Sequence, residues 1–508
     1  MQLKWRLLAQ ISAAAVVAGV DVKEARSKPR RRKTDANDPV LPMLEKITDD
    51  EPRKQRKRKG GWAQAITESR RSLQHYMRTR GIIGLSVAVS VNGQLAWSEG
   101  LGFSNLELAS PCTSDTVMRI GSISKPVTMA ILAQLLEAGK LDFDAPIQRY
   151  LPDFPRKSFG DQEYELTVRQ LLSNCAGLRH YDASDNVWGH LVPKKPKEEQ
   201  ESTAQVEKNN QDQKSQLGPE TEVKKEKETT TALPQRRFFS NATQALAMFQ
   251  EDPLVAQPGT FSYTTHGWTV LSAIIEAISS STFEAQLHAF CRRLRMFSTC
   301  VDRRQPIRSR RASHYYRDQH HVIQNVIVSD ANWPGAVLLG SAGDLTRFGD
   351  FMLRSANNAW GNPQFLRPET VWQIWSPVVL TGGHNLAPYY GMGWRVGVEL
   401  TEEKRDSGEG QEPRRLNYRV QWVYHTGAAA GASGVLFLLL PGSTGDDNDS
   451  SDYYAKKKRK RTDVPPARGV CVAILMNTEE RSSTLTHLAL EIASAFLDEV
   501  LEEDGDEM

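Results

Sequence analysis

The segment Met118-Arg-Ile-Gly-Ser-Ile-Ser-Lys-Pro-Val-Thr-Met-Ala-Ile-Leu-Ala-Gln-Leu-Leu-Glu-Ala-Gly-Lys140 holds a turn, a helix and two reactive side chains in one run. Gly121 and Ser122 make the turn. Val127, Ile131, Leu132, Leu135 and Leu136 then follow helical spacing as far as Gly139, a glycine placed to end a helix. Ser122 therefore stands at a helix start, with Lys125 one turn later on the same face. At such a point the serine N–H points out of the helix end, which favours developing negative charge, so it can serve as an oxyanion donor. Lys125 can take the serine proton if burial or a neighbouring cation lowers its pKa. By itself Ser-x-x-Lys is equally a capping serine followed by an incidental lysine.

Two later phrases shift that balance. Pro258-Gly-Thr-Phe-Ser-Tyr-Thr-Thr-His-Gly-Trp268 puts Tyr263 between a Pro-Gly turn and a helix expected over about 269–280. A tyrosine at such a junction can carry a proton between lysine and leaving group. Tyr424-His-Thr-Gly-Ala-Ala-Ala-Gly-Ala-Ser-Gly434 leads into a buried strand, and its glycines let backbone approach a ligand closely. One N–H from this strand could complete an oxyanion hole with Ser122. Alone, Tyr263 would be a core aromatic and His425 a structural histidine; the ordered set points to acyl transfer.

Outward from these phrases, Trp62 to Arg80 reads as a helix and Ile83 to Val91 as a strand. Asn92-Gly93 follows directly, the dipeptide of a tight hairpin turn. Gly434 to Leu440 and Val470 to Met476 read as buried strands, and Leu485 to Leu501 as an amphipathic helix. Strands and helices at both ends around a helical middle predict an α+β domain, an antiparallel sheet covered by helices.

The chain has 508 residues and a formal charge of +3. That average hides a split. Residues 1–60 hold 16 Lys and Arg against 8 Asp and Glu, leaving 48 cations and 53 acids, a net −5, for the body. The body thus lacks the global basic surface of a nucleic-acid binder, and the basic leader bears on targeting. Met1 to Val20 has early cations, an apolar stretch Leu7 to Val20 and no acid, the outline of a mitochondrial presequence with a short anchor; a secretory signal shares it. Domains are expected at 1–61 (leader and basic linker), 62–500 (catalytic body) and 501–508 (acidic tail). Residues 185–237 and 443–467 read as charged inserts too poor in apolar residues to order themselves. The run Lys456 to Arg461 is expected to be a solvated loop. The five scattered cysteines form no C-x-x-C pair and are expected to be buried thiols.

With Ser122-Ile-Ser-Lys125, Tyr263 and His425-Thr-Gly427 in this order, and with Trp97-Ser-Glu-Gly-Leu-Gly102 before them and Gly177-Leu-Arg-His-Tyr181 and Gly343-Asp-Leu-Thr-Arg-Phe-Gly349 between them, the chain resembles the serine β-lactamase and penicillin-binding-protein superfamily. The resemblance lies on the class C and esterase side, in the animal mitochondrial branch, and covers roughly residues 62–500. It implies a β-lactamase/transpeptidase-like fold with a helical subdomain, Ser122 as acyl-enzyme nucleophile, Lys125 as its base and Tyr263 as general acid/base. It also implies His425, Thr426 and Gly427 as the substrate-lining strand and the N–H groups of Ser122 and Ala428 as oxyanion donors. Three departures stand out. Thr265 replaces an asparagine that contacts substrate and lysine, Asn174-Cys-Ala-Gly177 replaces His-Thr-Ser-Gly, and Gly335-Ala-Val337 replaces Gly-Gly-Gly. The first bears on substrate class and the others on packing. No cofactor and no metal is implied; His314, His320 and His321 are expected to be exposed in a basic loop.

The branch further implies a serine protease of the mitochondrial intermembrane space that influences lipid metabolism, with a peptide or protein substrate and inner-membrane association through the N-terminal segment. A filament-forming structural protein with secondary catalysis, a homo-oligomer, an esterase, or a secreted hydrolase are the competing expectations.

Overall fold

The computed structural model describes residues 62–181, 239–303, 307–317, 323–325, 338–358, 361–382, 386–401, 417–440, 467–480 and 484–505. The leader through residue 61, the expected inserts (apart from Ala467), His320, His321, residues 335–337 and residues 506–508 lie outside them.

Among the described residues nine strands form one sheet: β1 Gly84–Val91, β2 Gln94–Asn105, β3 Ser110–Pro111, β4 Val379–Leu380, β5 Tyr389–Tyr390, β6 Arg395–Thr401, β7 Asn417–Ala429, β8 Ala432–Leu439 and β9 Val470–Met476. Their spatial order is β4-β5-β6-β7-β8-β9-β1-β2-β3. Every neighbouring pair is antiparallel. The β1–β2 turn is Asn92-Gly93 with both φ angles positive, 50° and 78°, the twist that two-residue hairpins favour. The last strand closes on the first, with Val87 opposite Ile474.

The two faces of the central strands explain their unbroken apolar sequence. Val470, Val472, Ile474 and Met476 join Val435, Phe437 and Leu439 in a cluster with residues of α1 (Ala63–Arg80) and α7 (Thr484–Gly505). Cys471, Ala473 and Leu475, with Leu436 and Leu438, belong to the opposite cluster with Leu345, Phe348 and Met352 of α5 (Ala342–Ala356). A strand covered on both faces has no polar alternation to show. Phe496 of α7 is fully buried between Trp62 and Trp97, with ring centroids at 5.7 and 6.3 Å. Burying such a side chain contributes roughly 1.5–3 kcal/mol. Helix α7 runs to Gly505, beyond the expected end near Leu501.

The helical part comprises α2 (Ser124–Glu137), α3 (His266–Ser279), α4 (Phe283–Arg293) and α6 (Pro368–Trp375). Helix α2 is buried on all sides from Ser124 to Ala133, so its apolar spacing marks a central helix rather than an amphipathic one. Glu276 at the end of α3 accepts the N–H groups of Ala242, Thr243 and Phe283 at 3.0–3.1 Å, tying three segments at one carboxylate. One expectation fails here. His314 is buried, not exposed, and its Nε2 accepts the Arg119 N–H at 3.1 Å. Burial first, then the charges of Arg119 and Arg311, hold its imidazole well below the usual histidine range and so neutral.

Candidate active site

Ser122 lies in a single 3-10 turn, Gly121–Ile123, that feeds directly into α2. It is not a capping serine, for no side-chain bond closes the helix start. The two serines of the phrase have separate duties. Ser124 is fully buried and its hydroxyl donates to the Gly121 carbonyl at 2.6 Å, bracing the turn. Ser122 is half-buried, and its Oγ accepts from Lys125 Nζ at 3.2 Å and from the Tyr263 hydroxyl at 2.7 Å. Lys125 Nζ also lies 4.8 Å from the centre of the Tyr263 ring.

Electrostatics assign the proton roles. Burial alone brings the Lys125 ammonium down to about 7, so a large fraction is neutral at physiological pH and able to accept the serine proton. Tyr263 moves the other way: burial raises its hydroxyl, against smaller lowering contributions from the Ser122 bond and Arg395. A phenol held up in this way keeps its proton and can donate it, so Lys125 is the group suited to accept the serine proton and Tyr263 the group suited to carry one.

Tyr263 is held by a residue whose role the sequence left as packing. Asn174, fully buried at φ 52°, accepts the Ser262 N–H on its backbone carbonyl at 2.8 Å and the Thr264 N–H on Oδ1 at 3.4 Å. Both neighbours of Tyr263 thus hang on one asparagine. Thr265 is buried and donates its N–H to His180 Nδ1 at 3.1 Å.

Strand β7 brings the third phrase alongside Ser122. A Cβ on Gly427 would meet the Ile120 carbonyl oxygen at 2.1 Å, and a Cβ on Gly121 would meet the Ala428 nitrogen at 2.6 Å. Only glycines allow this approach, and Gly121 also has φ +52°, a conformation other residues rarely adopt. Ala428 is thereby set beside the Ser122 turn, where its N–H and that of Ser122 can form a pair of oxyanion donors. Thr426 is half-buried and Ala428 exposed, whereas His425 is buried.

His425 is neutral. Burial first, then the Lys125 charge, bring it down to about 3, against a raising contribution from its bond to the Thr426 carbonyl. That carbonyl, 2.6 Å from Nδ1, can only accept, so Nδ1 carries the hydrogen and Nε2 accepts from the Tyr390 hydroxyl at 3.1 Å. Tyr390 sits on β5, two residues long, and no sequence signal singles it out. Tyr390→Phe should leave Nε2 buried without a donor, costing about 1 kcal/mol of stability and a few-fold in kcat; thermal melts and steady-state kinetics check both.

Arg395 is half-buried on β6, opposite Tyr390 on one side and Tyr424 on the other. Its charge lowers Tyr263, Tyr390 and His425 together. Its side chain donates to Thr381 Oγ1 at 3.5 Å, and among the described residues no carboxylate pairs with it. A separate pocket of about 280 Å³, lined by His288, Cys291, Met296 and Phe297, contains none of these residues.

A family model described as Beta-lactamase matches residues 70–495. The mouse protein named serine beta-lactamase-like protein LACTB, mitochondrial, is 33% identical over 471 residues, which cover 86% of this chain and 81% of its own length. Among solved structures, the octameric penicillin-binding protein homologue from Pyrococcus abyssi superposes with a TM-score of 0.59 at 18% identity, over 85% of this chain and 77% of its own. A class C beta lactamase from Rhodobacter sphaeroides gives 0.53 at 17% identity, over 84% of this chain and 99% of its own. The expected β-lactamase/transpeptidase-like architecture is the one observed.

Proposed function

Because this chain belongs to the serine β-lactamase-like family, we propose that it is a mitochondrial serine hydrolase that cleaves peptide bonds through an acyl-enzyme on Ser122. The observation that carries this reading is the Ser122 Oγ held by both Lys125 Nζ and the Tyr263 hydroxyl, with Lys125 brought to about 7. In the first half-reaction Oγ bonds to the scissile carbonyl carbon while neutral Lys125 takes its proton. Charge on the carbonyl oxygen falls to the N–H groups of Ser122 and Ala428. Collapse breaks the bond to the leaving nitrogen, which receives a proton from Tyr263, itself resupplied from Lys125. Water then attacks the ester by the same relay and frees Ser122.

Arg395 supports a substrate with an anionic group near the scissile bond, such as a free peptide carboxylate. Thr265 in place of the family's asparagine supports the esterase alternative, since it removes an amide that would engage a substrate peptide. The name of the mouse relative supports the mitochondrion, and the basic leader with its short apolar stretch supports the intermembrane space. The link to lipid metabolism is supported by the family resemblance alone.

A fluorophosphonate should phosphonylate the chain once, with loss of HF, on the peptide bearing Ser122. Short peptides with free C-termini should be hydrolysed at least about tenfold faster than their C-terminal amides and than p-nitrophenyl esters. An unlabelled Ser122 peptide sinks the hydrolase reading; labelling with turnover of esters alone favours the esterase.

A further inference from the structure

Resting on the hydrolase reading, we infer that Arg119 is a positioning residue that sets the spacing of the two oxyanion donors, with Asp302 as its anchor.

Arg119 lies three residues before Ser122, on the short strand Met118–Arg119 that pairs with Leu338–Gly340. Its side chain is 1% exposed, one of the largest fully buried side chains in the molecule. A guanidinium costs much to desolvate, so a buried one marks a place where its donors are used. Here Nε donates to Asp302 Oδ2 at 2.8 Å, and Nη1 donates to the carbonyl of Ala430 at 2.7 Å. Asp302 is itself 3% exposed, and its other oxygen takes Arg311 Nη2 at 2.5 Å.

The Ala430 contact gives the network a bearing on chemistry. Ala430 is the second residue after Ala428, in the turn between β7 and β8. One guanidinium therefore fastens together the two chain segments that carry the two donors, Arg119 to Ser122 and Ala428 to Ala430. Other contacts fix the same turn and strand. The Arg119 N–H is held by His314 Nε2 at 3.1 Å, and the Tyr315 N–H donates to the Gly431 carbonyl at 3.2 Å. A Cβ on Gly431 would meet the Tyr315 nitrogen at 2.7 Å, so the turn rests directly on residues 314–315. Around the clamp the facing charged and titratable groups are Asp302, Arg311 and His314. None of them touches Ser122, so the clamp acts on the site through backbone position. An arginine suits this task because its planar fork directs two donors along fixed, divergent lines, which a lysine cannot do.

The test uses the full chain and a pair of probes, p-nitrophenyl butyrate and its thionoester, in which sulfur replaces the carbonyl oxygen. A hole spaced for oxygen favours the oxo-ester, and a slackened hole loses that preference. Arg119→Met should lower kcat for the oxo-ester by about 10²-fold, the size of losing one oxyanion donor. KM should stay within about twofold, and the oxo-to-thiono rate ratio should fall at least tenfold. Arg119→Lys, which keeps the charge without the fork, should recover little of the ratio. The double change Arg119→Met with Asp302→Asn removes both buried charges and keeps the test valid if the single variant does not fold. Folded variants with the parent's oxo-to-thiono ratio would overturn the inference while leaving the hydrolase reading intact. A parent chain without Ser122 labelling or turnover overturns both.

Discussion

Lys125→Met should reduce the rate of acylation by about 10²–10⁴-fold, the span over which general-base catalysis operates, while leaving the chain as stable as its parent or more so. Methionine matches the lysine stem in length and shape, and the position is fully buried. What is lost is the one group near Ser122 that burial has brought to about 7. In the parent the neutral amine is the active form, so acylation should fall about tenfold per pH unit below 7 and level off above it. The variant should show no such limb. Stability follows the same proton with the sign worked through. Lys125 binds its proton less tightly folded than unfolded, so the parent loses stability as pH falls from about 10 towards 7 and nothing further below. The variant lacks that loss and should melt higher at pH 7. Stopped-flow acylation against pH, beside thermal melts, measures both. A variant that keeps the limb near pH 7 would assign the base to another group.

Gly121→Ala should damage both the fold and the site. It forces an L residue to φ +52° and pushes a carbon to 2.6 Å from the Ala428 nitrogen. The left-handed conformation costs about 1–2 kcal/mol and overpacking typically another 1–3, so the loss should be about 2–5 kcal/mol. Relief requires strand β7 to move away from Ile120 and Gly121, which separates the two oxyanion donors. Folded protein that remains should acylate at least about 10²-fold more slowly. The check is chemical denaturation together with fluorophosphonate labelling rate. Unchanged labelling of a folded variant would remove Ala428 from the oxyanion hole.

What could be read without coordinates follows from how local each signal is. The β1–β2 hairpin announces itself in Asn92-Gly93, and α1, β8, β9 and α7 in their apolar runs. Ser122 and Lys125 lie one helical turn apart, so sequence alone places them together. The supporting cast is of another kind. Tyr390 reaches His425 from a two-residue strand that no periodicity can reveal, and Arg119 reaches Asp302 across 183 positions. Asn174 looked like a packing substitution because its importance is a backbone matter: it holds the amides on both sides of Tyr263. His314 was misplaced for a related reason. Its arginine-rich neighbourhood, Arg308, Arg310 and Arg311, suggests solvent, yet Arg311 turns inward to Asp302 and the histidine follows. Buried ion networks read as exposed loops until their partners are known.

The meeting of β1 with β9 sets the order of events in the life of the chain. Residues 84–91 form an interior strand of the sheet, yet one neighbour is made almost four hundred positions later, Val87 against Ile474. Pairing of such long sequence separation is slow and waits on synthesis. Until β7, β8 and β9 have emerged, the early hairpin offers a bare apolar edge, and the segment bearing Ala428 is not yet present to complete the site. In the proposed reaction Ser122, made in the first quarter of the chain, therefore lacks its second proposed oxyanion donor until β7 has been synthesised. On the proposed mechanism, acylation therefore waits for the sheet to be complete.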